Sequence, residues 1–213
     1  MEFISQKLDD YVVNHTQEEP KLLQELNRET CAKVLQPRML SGHYQGRILS
    51  MISKIIHPNN ILEIGTYTGY SALCLMEGIQ QDGQLHTMDI NEELHDLQRK
   101  YFEKSGLGGQ IFQYTGNALD IIPKLNLHFD LVFIDADKEN YTNYFELILP
   151  KMKRGGIILS DNVLWSGKVL EKVKKDDRDT TALIAYNKLL HSHPKVETIV
   201  LPIRDGLSIC RVK

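Results

Sequence analysis

Leu62-Glu63-Ile64-Gly65-Thr66-Tyr67-Thr68-Gly69-Tyr70-Ser71 is the segment on which the fold turns. A short apolar run stops at Gly65, a second glycine follows at Gly69, and an apolar stretch with helical spacing begins at Ser71. A strand that ends in a glycine turn and opens a helix marks a parallel α/β sheet, whose ligands bind beyond the carboxyl ends of the strands. Glycine lets the backbone approach such a ligand without a Cβ in the way. The spacing is GxxxG rather than GxGxxG, so the dinucleotide fingerprint is missing.

Outward from this turn, strand and helix patterns alternate. Short β-branched runs at Ile61–Ile64, Leu85–Ile90, Ile111–Tyr114, Leu131–Ile134 and Ile157–Leu159 read as buried strands. Helical spacing fills Ser71–Ile79, Glu92–Lys104 and Tyr141–Met152. Such alternation predicts right-handed βαβ units. Thr180–His191 reads as a further helix. Val196–Leu201 and Leu207–Val212 alternate about the turn Pro202-Ile203-Arg204-Asp205-Gly206, an antiparallel ending. Residues 1–57 read as helices with apolar stripes (Phe3, Ile4, Leu8, Val12; Leu22, Leu23, Leu26). Pro20 is placed in the first turn of the second helix, and Ser41 caps a third that runs to about Ile56. The expected organisation is a single α/β domain, with helices over 1–57 and the sheet core over 58–213.

Composition narrows the function. A net charge of −3 gives no global basic field for nucleic acid or anionic membrane. Cys31, Cys74 and Cys210 are odd in number and form no CxxC or zinc spacing, so reduced thiols are expected. The N-terminal MEFISQKLDDYV holds acids and no long apolar run, which excludes a signal peptide and a membrane anchor and points to the cytoplasm. His191 and His193 close a helix before Pro194, where a cation suits the helix dipole. The run from Lys172 to Asp179 is read as a solvated loop.

Acids gather at the strand ends. Glu63 disfavours a pyrophosphate and suits a positively charged cofactor, such as S-adenosylmethionine with its sulfonium and ammonium. Asp89 ends the next strand, where a carboxylate can accept two hydrogen bonds from a ribose diol; otherwise it caps the helix beginning near Asn91. The small-residue turn Thr115-Gly116-Asn117-Ala118 suits an adenine edge. Asp135 and the pair Asp161-Asn162 close two further strands. Three oxygen donors with no His or Cys select a hard divalent cation: Mg²⁺ first, with Mn²⁺ or Ca²⁺ as alternatives. A structural hydrogen-bond cluster is the competing reading. Trp165, three residues beyond this pair, is either packing or a wall for stacking substrate.

The strings LEIGTYTGYSAL (from Leu62), FIDADKENY (from Phe133), LSDNVLWSGKV (from Leu159) and LPIRDGL (from Leu201) resemble those of the metal-dependent O-methyltransferases. That family includes catechol and caffeoyl-CoA O-methyltransferases, and the resemblance is to the plant and bacterial branch. It implies a Rossmann-like class I methyltransferase fold, with a seven-stranded, mostly parallel sheet of order 3-2-1-4-5-7-6. Strand 7 would be antiparallel, helices would cover both faces, and extra helices would stand at the N-terminus. It implies S-adenosylmethionine held by Ser41, Glu63, Gly65, Thr66, Ser71, Asp89, Ala118 and Asp135. Asp135, Asp161 and Asn162 would hold the metal, Lys138 would be the general base, and Trp165 and Asp205 would contact substrate. The acceptor would be a small catechol-like aromatic and the assembly a homodimer, with no membrane. Methylation of a hydroxyuridine in tRNA on the same fold is the alternative, against which the net charge speaks. A non-catalytic scaffold and a nicotinamide dehydrogenase are weaker readings still, because the acid and lysine set is intact and the glycine spacing is wrong.

Overall fold

The computed structural model describes residues 5–213, which divide into two compact units, 5–117 and 118–213. The first unit carries strands β1 (Asn60–Ile64), β2 (Gln84–Asp89) and β3 (Ile111–Thr115). The second carries β4 (Phe129–Ile134), β5 (Met152–Asp161), β6 (Val196–Leu201) and β7 (Leu207–Val212). The sheet has seven strands in the order β3-β2-β1-β4-β5-β7-β6, with β7 antiparallel, which is the topology the resemblance implies.

In the first unit β1, β2 and β3 are parallel, and Ile61, Leu62 and Leu85 have no exposed surface. Helix α4 (Tyr70–Met76) follows the glycine turn and is buried along its whole length. It stops three residues before the expected Ile79. Gly78 lies so close to the Ser53–Lys54 backbone that a Cβ there would meet the Ser53 carbonyl carbon at 2.2 Å. Before it come α1 (Gln6–Asn14), α2 (Lys21–Lys33) and α3 (Gly42–Ile56). Pro20 and Ser41 take the positions just before α2 and α3, and Ser41 makes no side-chain capping bond. No residue of α1 is buried; Leu8 and Tyr11 are 49% and 60% exposed. The expectations for Phe3 and Ile4 lie outside the described residues. The segment expected as one helix from Glu92 is a 3-10 turn, Glu92–Leu94, followed by α5 (His95–Lys104). Asn91 caps the turn, its Oδ1 accepting from the Glu93 N–H at 3.0 Å.

Helix α3 buries a largely polar face. Its buried positions are Gln45, Gly46, Arg47, Leu49, Ser50 and Ser53, whereas Met51 and Ile55 are 58% and 76% exposed. The inward polar face is held by ion pairing and hydrogen bonds. Glu77, just past α4, accepts from Arg47 Nη2 at 2.6 Å, Arg47 Nη1 at 3.0 Å, Ser50 Oγ at 2.8 Å and Lys54 Nζ at 2.8 Å.

In the second unit β4 and β5 run parallel, and β7 pairs antiparallel with both β5 and β6. Helices α6 (Ala118–Ile121), α7 (Tyr141–Ile148) and α8 (Arg178–Ser192) complete it. Strand β5 is longer than the Ile157–Leu159 expected. Its register jumps from Phe129↔Met152 to Leu131↔Ile157, an irregularity that takes up Gly155 at φ +80°. Helix α7 ends at Ile148 rather than Met152, because Pro150 has no N–H to donate and the chain continues as a 3-10 turn. Cys74 and Cys210 are buried free thiols, whereas Cys31 is exposed. Among the described residues no helix is long and apolar enough to cross a membrane.

The Glu77 cluster sets an acid-lability test. Burial pushes the Glu77 carboxyl up, but the bonds from Arg47, Lys54 and Ser50 outweigh it and hold the pKa at about 2, below the ordinary 4.5. A carboxyl depressed on folding stabilises the protein fully above the unfolded value and loses that contribution as pH falls through the folded one. Glu77→Gln leaves Arg47 buried beside a neutral partner. It should cost about 2–3 kcal/mol at pH 7, less than a fully buried pair because Glu77 keeps some solvent contact. Urea melts at pH 7 and pH 3 should show the difference between wild type and variant narrowing on acidification.

Candidate active site

The glycine turn after β1 is built around a buried acid. Glu63 has no exposed surface. Its Oε1 accepts from Ser71 Oγ at 2.6 Å and its Oε2 from Thr87 Oγ1 at 2.6 Å, and Thr66 Oγ1 lies 2.5 Å from Thr87 Oγ1. The β1–β2 register places Glu63 and Thr87 side by side, so the acid ties β1, β2 and the start of α4 together. Glu63 and Ser71 therefore face inward, and any effect of Glu63 on a bound cation acts through the loop it fixes or through space. Thr87 went unnoticed in the sequence. Its signal was a hydroxyl in a buried strand opposite another polar residue.

Asp89 is half-buried at the end of β2. Its Oδ2 accepts from the Tyr67 N–H at 2.7 Å and its Oδ1 from the Asn91 N–H at 2.9 Å. The helical turn that follows is capped by Asn91 and not by Asp89. A carboxylate has about four lone-pair sites, so two remain for a diol. Gln98 Nε2 donates to the Tyr67 carbonyl at 2.7 Å, and the Gly116 N–H donates to the Asp89 carbonyl at 2.8 Å. Gly65 and Gly69 adopt φ +98° and +88°, and a Cβ on Gly69 would stand 2.7 Å from the Phe102 ring. Ser41 is buried at the start of α3. Ala118 is buried at the start of α6 and opens the second unit.

In the second unit Asp135 and Asp161 sit at the carboxyl ends of neighbouring parallel strands. The register pairs Ile134 with Ser160, so the two acids follow in step. Lys138, buried in the turn after β4, donates to Asp135 Oδ1 at 3.1 Å and to Tyr141 Oη at 2.8 Å. Tyr141, with no exposed surface, donates to the Asp161 carbonyl at 3.0 Å. Burial, reinforced by the Asp135 and Asp161 carboxylates, holds the Tyr141 phenol well above its ordinary pKa, so its hydroxyl keeps its proton. Asp137 turns away to Tyr144 and Asn140. Tyr141 closes the FIDADKENY string, yet nothing in the sequence distinguished it from a core aromatic.

Asp161 is 4% exposed and its Oδ1 accepts from the Asn162 N–H at 2.8 Å. Asn162 takes φ +60°, a left-handed conformation asparagine tolerates. Among the described residues no group of three or more His, Cys, Asp and Glu side chains is placed to hold a metal ion; the candidate set is two carboxylates and an amide. Trp165 stands over the lysines, with Lys138 Nζ and Lys168 Nζ each 5.8 Å from its ring centroid, and its buried Nε1 has no hydrogen-bond partner. Asp205 clips this loop: its carbonyl accepts from the Leu164 N–H at 2.9 Å and its carboxylate accepts from the Ser166 N–H. His193 packs edge-on against Phe145 at 5.4 Å, a packing role.

The sheet thus carries acids at its strand ends and a buried lysine beside Asp135, and its parallels among known proteins agree with one another. The O-methyltransferase family model matches residues 13–213. Caffeoyl-CoA O-methyltransferase of Petroselinum crispum is 37% identical over 91% of this chain and 84% of its own. Caffeoyl-CoA O-methyltransferase 5 of Nicotiana tabacum is 36% identical over 91% and 85%. The crystal structure of an O-methyltransferase from Bacillus cereus in complex with SAH superposes with a TM-score of 0.89 at 30% identity, covering 97% of each chain. The chain belongs to the O-methyltransferase family, the class of transferases that uses S-adenosylmethionine as methyl donor.

The Asp205 clip carries its own test. Gly206 adopts φ +92°, and a Cβ there would meet Leu164 Cγ at 2.4 Å. Gly206→Ala should displace the 162–167 loop while the sheet persists. The chain has one tryptophan, so the emission of Trp165 should shift to the red with unchanged far-ultraviolet circular dichroism. An unshifted spectrum would show that the clip does not position the loop.

Proposed function

We propose that this chain transfers a methyl group from S-adenosylmethionine to a hydroxyl of a small vicinal dihydroxy aromatic, with a divalent cation, Mg²⁺ foremost, at Asp135, Asp161 and Asn162. The observation that carries the reading is Lys138, a buried amine held between the Asp135 carboxylate and the Tyr141 hydroxyl at the ends of β4 and β5. The set fits a hard cation: all donors are oxygens, and two stand on strands in step. The cofactor fits as well, since Asp89 retains acceptor capacity and the turn it braces carries no side chain at Gly65. When bound, the cation supplies Lewis acidity that lowers the pKa of a ligated hydroxyl, and the donor supplies a methyl group on a sulfonium.

The chain's residues do the rest. Asp89 holds the donor's ribose, and Glu63 fixes the β1 turn from beneath. Lys138 takes the phenolic proton onto Nζ, so that the oxygen attacks the methyl carbon as the C–S bond breaks and its electron pair stays on sulfur. Trp165 offers a ring face for the acceptor and a buried, unpartnered N–H for one of its oxygens. Caffeoyl-CoA, named for two of the relatives, carries such a dihydroxy ring and is the first acceptor to try.

The test is an acceptor screen with labelled S-adenosylmethionine, with and without chelator, across catechols, caffeoyl esters, flavonoids and tRNA. Turnover should require added Mg²⁺. Asp161→Ala should abolish it and keep donor affinity, whereas Asp89→Ala should weaken donor binding by about 1.5–3 kcal/mol. Full activity in metal-free enzyme overturns the metal role; methylation of tRNA alone overturns the acceptor class.

The homodimer expectation is proposed on the outward face of α3. Met51 and Ile55 are exposed there, and Lys54 on the rim is already paired with Glu77. A stripe without free charge packs against its own two-fold copy with no like-charge clash. Replacing Met51 and Ile55 by glutamate should shift the protein to monomer in light scattering, and a mass unchanged from wild type would remove α3 from any interface.

A further inference from the structure

Three tyrosine hydroxyls are held by partners within the protein: Tyr186 with Ser160, Tyr70 with Glu19, and Tyr141 with Lys138 and the Asp161 carbonyl. Tyr186 Oη lies 2.6 Å from Ser160 Oγ, and Tyr70 donates to Glu19 at 2.5 Å. The first joins α8 to β5, the second ties α4 to the segment before α2, and neither hydroxyl bonds to a residue assigned to chemistry. Tyr141 differs, because its single hydroxyl meets a reacting group and a strand end at once.

We infer that Tyr141 is the positioning residue for Lys138, its hydroxyl holding the Lys138 amine in reach of the acceptor oxygen; this rests on the function proposed above. A lysine amine rides on a flexible four-carbon stem and must be immobilised to act at a defined point. Asp135 holds the Lys138 amine from one side at 3.1 Å, and the phenol holds it from the other at 2.8 Å. The phenol is fixed in turn. Its proton goes to the Asp161 carbonyl at 3.0 Å, and its ring packs edge-on against Tyr186 with centroids 5.4 Å apart. The Lys138 amine is thereby referenced to the ends of β4 and β5 together, the ends that carry Asp135 and Asp161. Without the hydroxyl the amine keeps only Asp135 of these two partners, and collapses onto a carboxylate that the cation also needs.

Tyr141→Phe keeps the ring and its contact with Tyr186 and removes only the hydroxyl. Misplacing a reacting group by about 1 Å costs on the order of 100-fold, so kcat should fall about 10- to 100-fold. KM for the acceptor and affinity for S-adenosylmethionine should stay within about two-fold, the split expected when orientation and not binding is lost. Tyr186→Phe, which deletes an equally buried hydroxyl in the same layer, should retain wild-type kcat. Lys138→Met separates the two levels of the argument. If it turns over like wild type, the proposed role of Lys138 falls. If it is inactive while Tyr141→Phe has wild-type kcat, only the role of Tyr141 falls. Equal losses in Tyr141→Phe and Tyr186→Phe would reduce Tyr141 to a structural residue. Should Tyr141→Phe not fold, limited acetylation of the wild-type protein read by mass spectrometry decides. Lys138 should react far more slowly than Lys172 and Lys174; reaction at their rate overturns the immobilised amine.

Discussion

A carboxylate with no exposed surface must be satisfied by its own protein, since an unpaired buried charge costs several kcal/mol. Glu63 meets that demand with the hydroxyls of Ser71 and Thr87, the latter in contact with Thr66. Each comes from a different element, so the acid sets the register of β1 on β2 and the point where α4 begins. The glycine turn between them inherits its shape from this arrangement, and Asp89 braces the same turn from outside through the Tyr67 N–H. The turn is thus held from both sides by the protein's own groups, Glu63 within and Asp89 without.

The second unit solves a related problem differently. Asp135 and Asp161 end adjacent strands, where two like charges repel. Lys138 donates a hydrogen bond to one, and Tyr141 spans to the backbone of the other. Asn162, Trp165 and Ser166 adopt positive φ, and Asp205 at the β6–β7 turn clips the loop they form. Backbone strain of this kind persists where surrounding contacts over-determine it, and it concentrates at functional loops.

The N-terminal helices follow other rules. Helix α2 is tied to α5 by Glu29, which accepts from Lys100 and Tyr101 there and from Lys33 on its own helix, and is held at a pKa of about 2 by those bonds. Helix α3 is attached by polar contacts on its inner face and presents aliphatic side chains outward. Leu49 is its fully buried aliphatic anchor, and the Arg47–Glu77 pair adds a polar tie to the end of α4.

Hydrophobic period is local information, and it determined the order and type of nearly every element from β1 to β7. Acids and glycines at strand ends are local too, so Glu63, Asp89, Asp135, Asp161 and Asn162 stood out before any coordinates. The resemblance of the four strings supplied the sheet order. Three things required the tertiary structure. Strand β5 begins early because β4 offers it a ladder past a bulge, which no period in Lys153-Arg154-Gly155-Gly156 announces. The outward face of α3 was invisible, because burial depends on what lies beside a helix and not on its own pattern. Tyr141 and Thr87 read as ordinary core residues, since a hydroxyl's role depends on the atoms within 3 Å of it, and those come from distant parts of the chain.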